Sequence, residues 1–314
     1  MRKILLVWHN FFFKLNDLKK YKEKNRILWA ICGVNWKMAS HLLFYYMRFY
    51  GFCGWMPKKK LDPTSNVVVS LTSFPARISM VWMIIDSLFH QKVLPSKICL
   101  YLSEEEFPDG RKSLPKRLLK YEEVGLEICF RENNLMPHKK YYYALQEHKE
   151  SLVVTVDDDI YYNDNTISNL LNIHLKYPDA VCSNTCHVIR FDEKGNILPY
   201  EQWIPRAPRQ DVSHLNVAIG YNGVLYPPID YGKTMFDINK IKGLSLKADD
   251  LWLKANEIKQ NIKVVNGDYF CRGIEFDNIQ LVSLSKTNVN SGQNDVQWNK
   301  LCEEFSITKE SFNN

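Results

Sequence analysis

From residue 67 onward, short β-branched runs alternate with longer stretches whose apolar residues recur every three or four positions. Val67-Val-Val-Ser-Leu-Thr72 has the length and composition of a buried strand. The stretch 80–90, apolar at 81, 84, 85, 88 and 89, predicts a helix. The alternation continues with a strand at 98–102, a helix at 114–123, a strand at 126–130, a helix at 139–149, a strand at 152–156 and a helix at 165–177, which ends before Pro178. This spacing predicts an α/β fold, with a mostly parallel central sheet flanked by helices. In such sheets ligands bind beyond the carboxyl ends of the strands. Thr72-Ser-Phe-Pro-Ala-Arg77 and Asp157-Asp-Asp159 both follow strands, so two polar groups are expected on one rim.

The residues before the first strand have a different character. Residues 1–60 carry 13 Lys/Arg against Asp17 and Glu23, a net +11, so the remainder of the +6 chain is −5. A basic front end on a mildly acidic body predicts an anionic surface as partner. Between Ile27 and Met56, Trp29, Trp36, Phe44, Tyr45 and Phe49 are interleaved with Lys37, His41 and Arg48. No uncharged stretch of 18 residues occurs there, which argues against a spanning helix. The mixture suits either a helix at the lipid interface or aromatics packed on the body, and nucleic acid is not expected as a partner. The apolar run Ile4-Leu-Leu-Val-Trp8 is too short for a secretory signal, so the expected location is cytoplasmic, peripheral on the inner face of the membrane. Eight scattered cysteines, with only Cys182 and Cys186 close together, predict free thiols in a reducing compartment. The polar, proline-containing stretch 58–66 places a boundary near residue 62, between a segment 1–62 and a domain 63–314.

Three adjacent carboxylates where a strand leaves a core repel one another unless a cation neutralises them. Ile160-Tyr-Tyr162 keeps the chain apolar beyond the triplet, which favours a divalent-metal site over a solvated loop. Thr72, Ser73 and Arg77 can hold a nucleotide, and Lys139 and Lys140, opening a helix, can hold a phosphate. Asp249 and Asp250 open a further helix, either capping it or supplying a general base. Gly220-Tyr-Asn-Gly-Val-Leu-Tyr226 has glycines for close backbone approach, and no phosphate-loop or dinucleotide-binding glycine motif occurs.

Taken in order, Val67 to Arg77, Lys139-Lys-Tyr-Tyr-Tyr-Ala-Leu145, Val156-Asp-Asp-Asp-Ile160, Gly223-Val-Leu-Tyr-Pro-Pro228 and Ala248-Asp-Asp-Leu-Trp252 resemble the GT-A fold nucleotide-sugar glycosyltransferases, close to the bacterial family 2-like enzymes of capsule and lipopolysaccharide assembly. The resemblance covers about residues 66–298. It implies a nucleotide-sugar donor, UDP-linked by preference, a glycan or lipid-linked acceptor, and Mn²⁺ or Mg²⁺ on the diphosphate. By position, Asp157 lies toward the ribose and the metal, Asp159 on the metal, and Asp158 between them. Asp250, with Asp249 beside it, is the implied base of an inverting transfer, although the family's usual Glu-Asp is here Asp-Asp. Trp203 and Tyr226 are the expected acceptor platforms, and Asn294 or Asp295 the candidates for a third metal ligand.

Two other classes compete with this reading. An apolar strand ending in two spaced aspartates also opens haloacid-dehalogenase-like phosphatase and phosphotransferase sites, but on the first strand of the domain. A carbohydrate-binding protein without activity would need neither acidic set.

Overall fold

The computed structural model describes residues 1–17, 25–205, 211–267, 273–276 and 292–313. Two helices come first, α1 (Arg2–Asp17) and α2 (Arg26–Phe52), the latter capped by the Asn25 side chain on the Leu28 N–H. Then follow β1 (Val67–Thr72), α3 (Val81–Leu88), β2 (Lys97–Ser103), β3 (Leu126–Arg131), α4 (Lys139–Glu147), β4 (Leu152–Thr155), β5 (Ile160–Tyr161) and α5 (Thr166–His174). These lie within a few residues of the expected elements. The exception is the helix expected at 114–123, which is one α turn running into a 3₁₀ segment that ends at the left-handed Gly125. The rest comprises β6 (Val181–Ser183), β7 (Cys186–Val188), β8 (Val212–Ser213), β9 (Asn216–Ala218), β10 (Val224–Tyr226), α6 (Ile238–Leu244), α7 (Asp249–Lys259), β11 (Val264–Asn266), β12 (Ile274–Glu275) and α8 (Gln293–Phe305).

Eight strands form one sheet in the order β3-β2-β1-β4-β10-β6-β11-β8. Its first half is parallel, with Val69 between Ile98 and Val154. β10 then runs antiparallel between β4 and β6, and β8 antiparallel to β11 at the edge. The chain is thus an α/β fold with a mostly parallel sheet and helices on both faces. The period-two alternation of a strand divides the core. Val67, Val69 and Leu71 face α3, while Val68 and Val153 face α4 and α7.

The helices α1 and α2 share that core. Leu5, Leu6, Leu43, Phe44 and Met47 pack beneath the sheet with α3. Arg2 pairs with Asp164 at 2.6 Å, and the Ser40 hydroxyl donates to the Glu275 carbonyl at 2.9 Å. Gly51 lies so close to Trp82 that a Cβ there would sit 2.8 Å from the ring. The aromatics of α2 therefore do pack on the body along one face, while the opposite face stays in solvent. By length and composition alone, α2 is long and apolar enough to cross a membrane, contrary to the count of uncharged residues, because its charges are sparse rather than absent. Cys32, Cys53, Cys99, Cys129, Cys182, Cys186 and Cys302 are free thiols, and Cys271 lies outside the described residues.

Candidate active site at the strand ends

Parallel pairing of β1 with β4 sets Ser70 level with Thr155, so the turn after Thr72 meets the aspartate triplet. The Ser73 hydroxyl donates to Asp158 at 2.6 Å, and Arg77 donates to the other oxygen of the same carboxylate at 2.6 Å. Arg77 also lies 2.9 Å from Asp159. Asp158 is buried, whereas the side chains of Asp157 and Asp159 are 30% and 13% exposed. The middle carboxylate anchors the turn inward and the outer two remain accessible. The Asp157 N–H donates to the Tyr162 hydroxyl at 2.7 Å, which donates in turn to the Tyr221 carbonyl at 3.4 Å.

Ser70 fixes the start of α4 by donating from its hydroxyl to the Lys140 carbonyl at 2.5 Å. Successive helical residues point about 100° apart, so the two lysines separate. Lys140, buried, reaches Asp157 at 2.7 Å and Asp249 at 3.0 Å. Lys139 turns away to Glu106 and is buried there, so it does not belong to the phosphate site expected of the pair. Asp249 and Asp250 form the first turn of α7, where the helix dipole favours acids. Asp250 accepts from the Gly220 N–H at 3.3 Å. A Cβ on Gly220 would stand 2.9 Å from the Lys140 Nζ and 3.2 Å from Asp157, so only glycine lets this loop close over the pair.

Five carboxylates (Asp157, Asp158, Asp159, Asp249, Asp250) thus meet two cations (Arg77, Lys140), a formal balance of −5 + 2 = −3. The proton affinities register the excess. Burial and the charge of Asp158 push the Asp159 carboxyl up to about 7. Burial raises Asp158 even against Arg77 and Ser73. Burial and the charge of Asp249 hold Asp250 well above the usual carboxylate range. Asp249 goes the other way: burial would raise it, but Lys140 outweighs that and lowers it. His138 is pushed down to about 4 by burial. Its Nε2–H donates to the Ser245 carbonyl at 2.8 Å and its Nδ1 accepts from the Tyr141 hydroxyl at 2.9 Å, which suits a neutral ring beside the acids.

Several expected site residues already have partners within the fold. Thr72 donates its hydroxyl to the Tyr101 carbonyl. Arg77, Ser73 and Asp158, expected on the nucleotide, are engaged with one another. Trp203 is a core residue, its indole N–H donated to the Leu198 carbonyl at 2.8 Å and its ring against Trp298. Tyr226 is buried on β10. Neither ring offers a face to a sugar, because large aromatic surfaces at strand and loop positions are drawn into the core. Asp295 accepts from the Tyr200 N–H at 2.7 Å, and Asn294 is buried at the start of α8. Sequence reasoning passed over Tyr162, His138 and Tyr200, a half-buried tyrosine pushed up by burial and by the charge of Asp250. Of the three, only Tyr162, just past the triplet, had a signal in its position.

Among the described residues no three His, Cys, Asp or Glu side chains converge on one metal-sized point. No family model and no curated protein matches the chain. Among solved structures it is similar to a mannosyltransferase from Pyrobaculum calidifontis in complex with GDP-Man and Mn²⁺ (12% identity, 72% of this chain and 62% of that one, TM-score 0.41). It is also similar to S. aureus TarS 1–349 in complex with UDP (14% identity, 63% and 57%, TM-score 0.41). A CMP:2-keto-3-deoxy-manno-octonic acid synthetase complexed with CTP is similar at 8% identity over 76% of this chain and 100% of that one, with a TM-score of 0.38. The chain spans less than two thirds of the length of the first two. At such scores the likeness carries no weight for the reaction, and the chemistry rests on the site itself.

Proposed function

We propose that this chain is a glycosyltransferase that moves a sugar from a nucleotide-diphosphate donor to an acceptor hydroxyl with the help of a divalent cation. The observation that carries the reading is the crowding of five half-buried and buried carboxylates around only two cations, Arg77 and Lys140, at the strand ends, a formal excess of −3. Such a rim binds a cation or a ligand that brings one. The donor set fits Mn²⁺ or Mg²⁺: oxygen ligands only, and two accessible carboxylates rather than a closed cage. Mg²⁺ takes one or two carboxylates and completes its shell with phosphate and water. Asp157 and Asp159 would hold the ion, which supplies charge neutralisation for the leaving diphosphate.

The protein's own residues supply the rest. Ser73 and Arg77 clamp Asp158 and so aim its two neighbours outward. Lys140 lowers the proton affinity of Asp249, which makes Asp249 the weaker base of the pair. Asp250, with its raised proton affinity, is the group suited to take the acceptor proton. As the acceptor oxygen bonds to the anomeric carbon, the bond from that carbon to the diphosphate oxygen breaks, and the proton passes to Asp250. Attack from the face opposite the leaving group gives inversion. The narrower form, hexose transfer from a UDP-sugar to a glycan or lipid-linked acceptor in surface polysaccharide synthesis, rests on the motif resemblance alone. A haloacid-dehalogenase-like phosphatase is disfavoured because the triplet follows the fourth strand of the chain, not the first.

The test is a thermal-shift screen of UDP, GDP, CDP and their sugars with and without Mn²⁺. A ligand that binds only the native state raises the melting temperature by mass action. A metal-dependent rise with one nucleotide supports the proposal and names the donor class. No rise with any nucleotide overturns it.

A further inference from the structure

Thirteen of the eighteen exposed large apolar side chains among the described residues lie within residues 1–55. They are ordered rather than scattered. On α2, Ile27, Ile31, Val34, Met38, Tyr45 and Phe49 are all exposed, and at 3.6 residues per turn they fall within roughly 80° of one another. On α1, Ile4, Val7 and Phe11 make a second exposed row. Each row has a basic border. Arg26, Lys37 and Arg48 recur every 11 residues, three turns apart, on one flank of the α2 row, and Lys3 and Lys14 do the same beside the α1 row. All five are exposed.

We propose that the α1–α2 hairpin lies flat on an anionic lipid bilayer, its apolar rows in the headgroup boundary and its basic rows on the lipid phosphates. Apolar and aromatic residues on one face with lysine and arginine alongside are what an interfacial helix requires. Insertion across the bilayer is disfavoured even though α2, at about 40 Å, is long enough. Its other face is joined to the body through Ser40 and the Phe44–Phe276 contact, and cannot be in hydrocarbon at the same time. A second copy of the chain is the weaker occupant. Symmetric pairing would bring together two segments that each carry +11 over residues 1–60, whereas anionic lipid complements that charge.

The hairpin is tied to the catalytic rim. Arg2 and Asn10 bond Asp164 and Asn163, just beyond β5. Ser40 holds β12, which pairs with β5 immediately after Asp159. Docking would therefore fix the orientation of the rim toward the membrane. This inference is independent of the reaction proposed above.

The experiment is co-sedimentation of the full chain with vesicles of phosphatidylcholine alone and of phosphatidylcholine with phosphatidylglycerol. The intact protein should partition onto the anionic vesicles and be released by salt. Lys37→Glu with Arg48→Glu should lower that partition by roughly tenfold or more, since each cation near the surface contributes about 1 kcal/mol. Val34→Glu with Phe49→Glu should abolish it, while an unchanged melting temperature shows that both variants fold. Equal binding to neutral vesicles, no binding to either, or binding indifferent to both variants overturns the proposal. A concentration-dependent dimer that Val34→Glu dissolves, without vesicle binding, would assign the surface to a second copy and overturn it as well.

Discussion

Arg77→Met removes a guanidinium that lies 2.6 Å from Asp158 and 2.9 Å from Asp159, while keeping the apolar stem. Two unit charges about 4 Å apart attract by about 4 kcal/mol at an effective dielectric of 20. Breaking a buried pair costs about 3–5 kcal/mol, because the surviving charge is left uncompensated. Ser73 still donates to Asp158, which places the expected loss near the lower end, about 3 kcal/mol at pH 8. Asp158, already raised by burial, takes up a proton more readily once Arg77 is gone, so the loss should shrink at pH 5. Asp158→Asn in the Arg77→Met background removes the stranded charge and should recover at least about 2 kcal/mol. Urea denaturation of the parent, the two single variants and the double variant at both pH values closes the cycle. A coupling below about 0.5 kcal/mol at pH 8 would show that Arg77 does not hold the triplet, and would refute the reasoning.

Asp250→Asn should lower turnover by about 10²–10⁴-fold while leaving the nucleotide-dependent thermal shift in place; near-normal turnover would remove Asp250 as the base. Asp159→Asn should do the opposite on binding, losing the metal-dependent shift, and should make the ligand-free protein more stable at pH 8. The folded carboxyl stays protonated up to about 7 while the unfolded one ionises near 4, so stability falls as pH rises through that window, by at most about 4 kcal/mol. His138 has the reverse sign. Its folded value of about 4 lies below the unfolded value near 6.5, so stability falls as pH drops from about 6.5 to about 4, by up to about 3 kcal/mol. His138→Gln, which can keep both hydrogen bonds, should flatten that limb of a urea-midpoint profile against pH. Gly220→Ala should displace Lys140 or the loop and weaken donor binding by roughly tenfold with little change in melting temperature, a split that a merely structural glycine would not give.

The parallel half of the sheet was legible because its strands are short, mainly apolar runs such as Val67-Val-Val or Leu152-Val-Val, and most of them are followed by a helix of clear period. The second half was not. β6, β10 and β11 are three residues each, too short for any periodicity, and they exist as strands because β10 inserts antiparallel between β4 and β6. Asp157 to Asp159, Lys140 and the Asp249–Asp250 pair could be singled out by chemistry, since adjacent carboxylates at a strand end need a reason. The roles of the aromatics could not: Trp203 and Tyr226 read as well for a sugar platform as for a core, and burial decides between them.

The sequence by itself determined the alternating α/β order, the acidic rim and the basic, aromatic front end, because these depend on local periodicity and on residue chemistry. Tertiary structure alone decided how the charges pair. Lys139 and Lys140 are neighbours with the same side chain, yet one turns to Glu106 and the other joins Asp157 to Asp249, since a helix turns its successive residues about 100° apart. It also decided that α2 presents two faces, one bonded to the body and one in solvent. Asp157 and Asp249 stand 92 residues apart in the chain, and only a sheet that aligns strand ends from both halves brings them to one lysine.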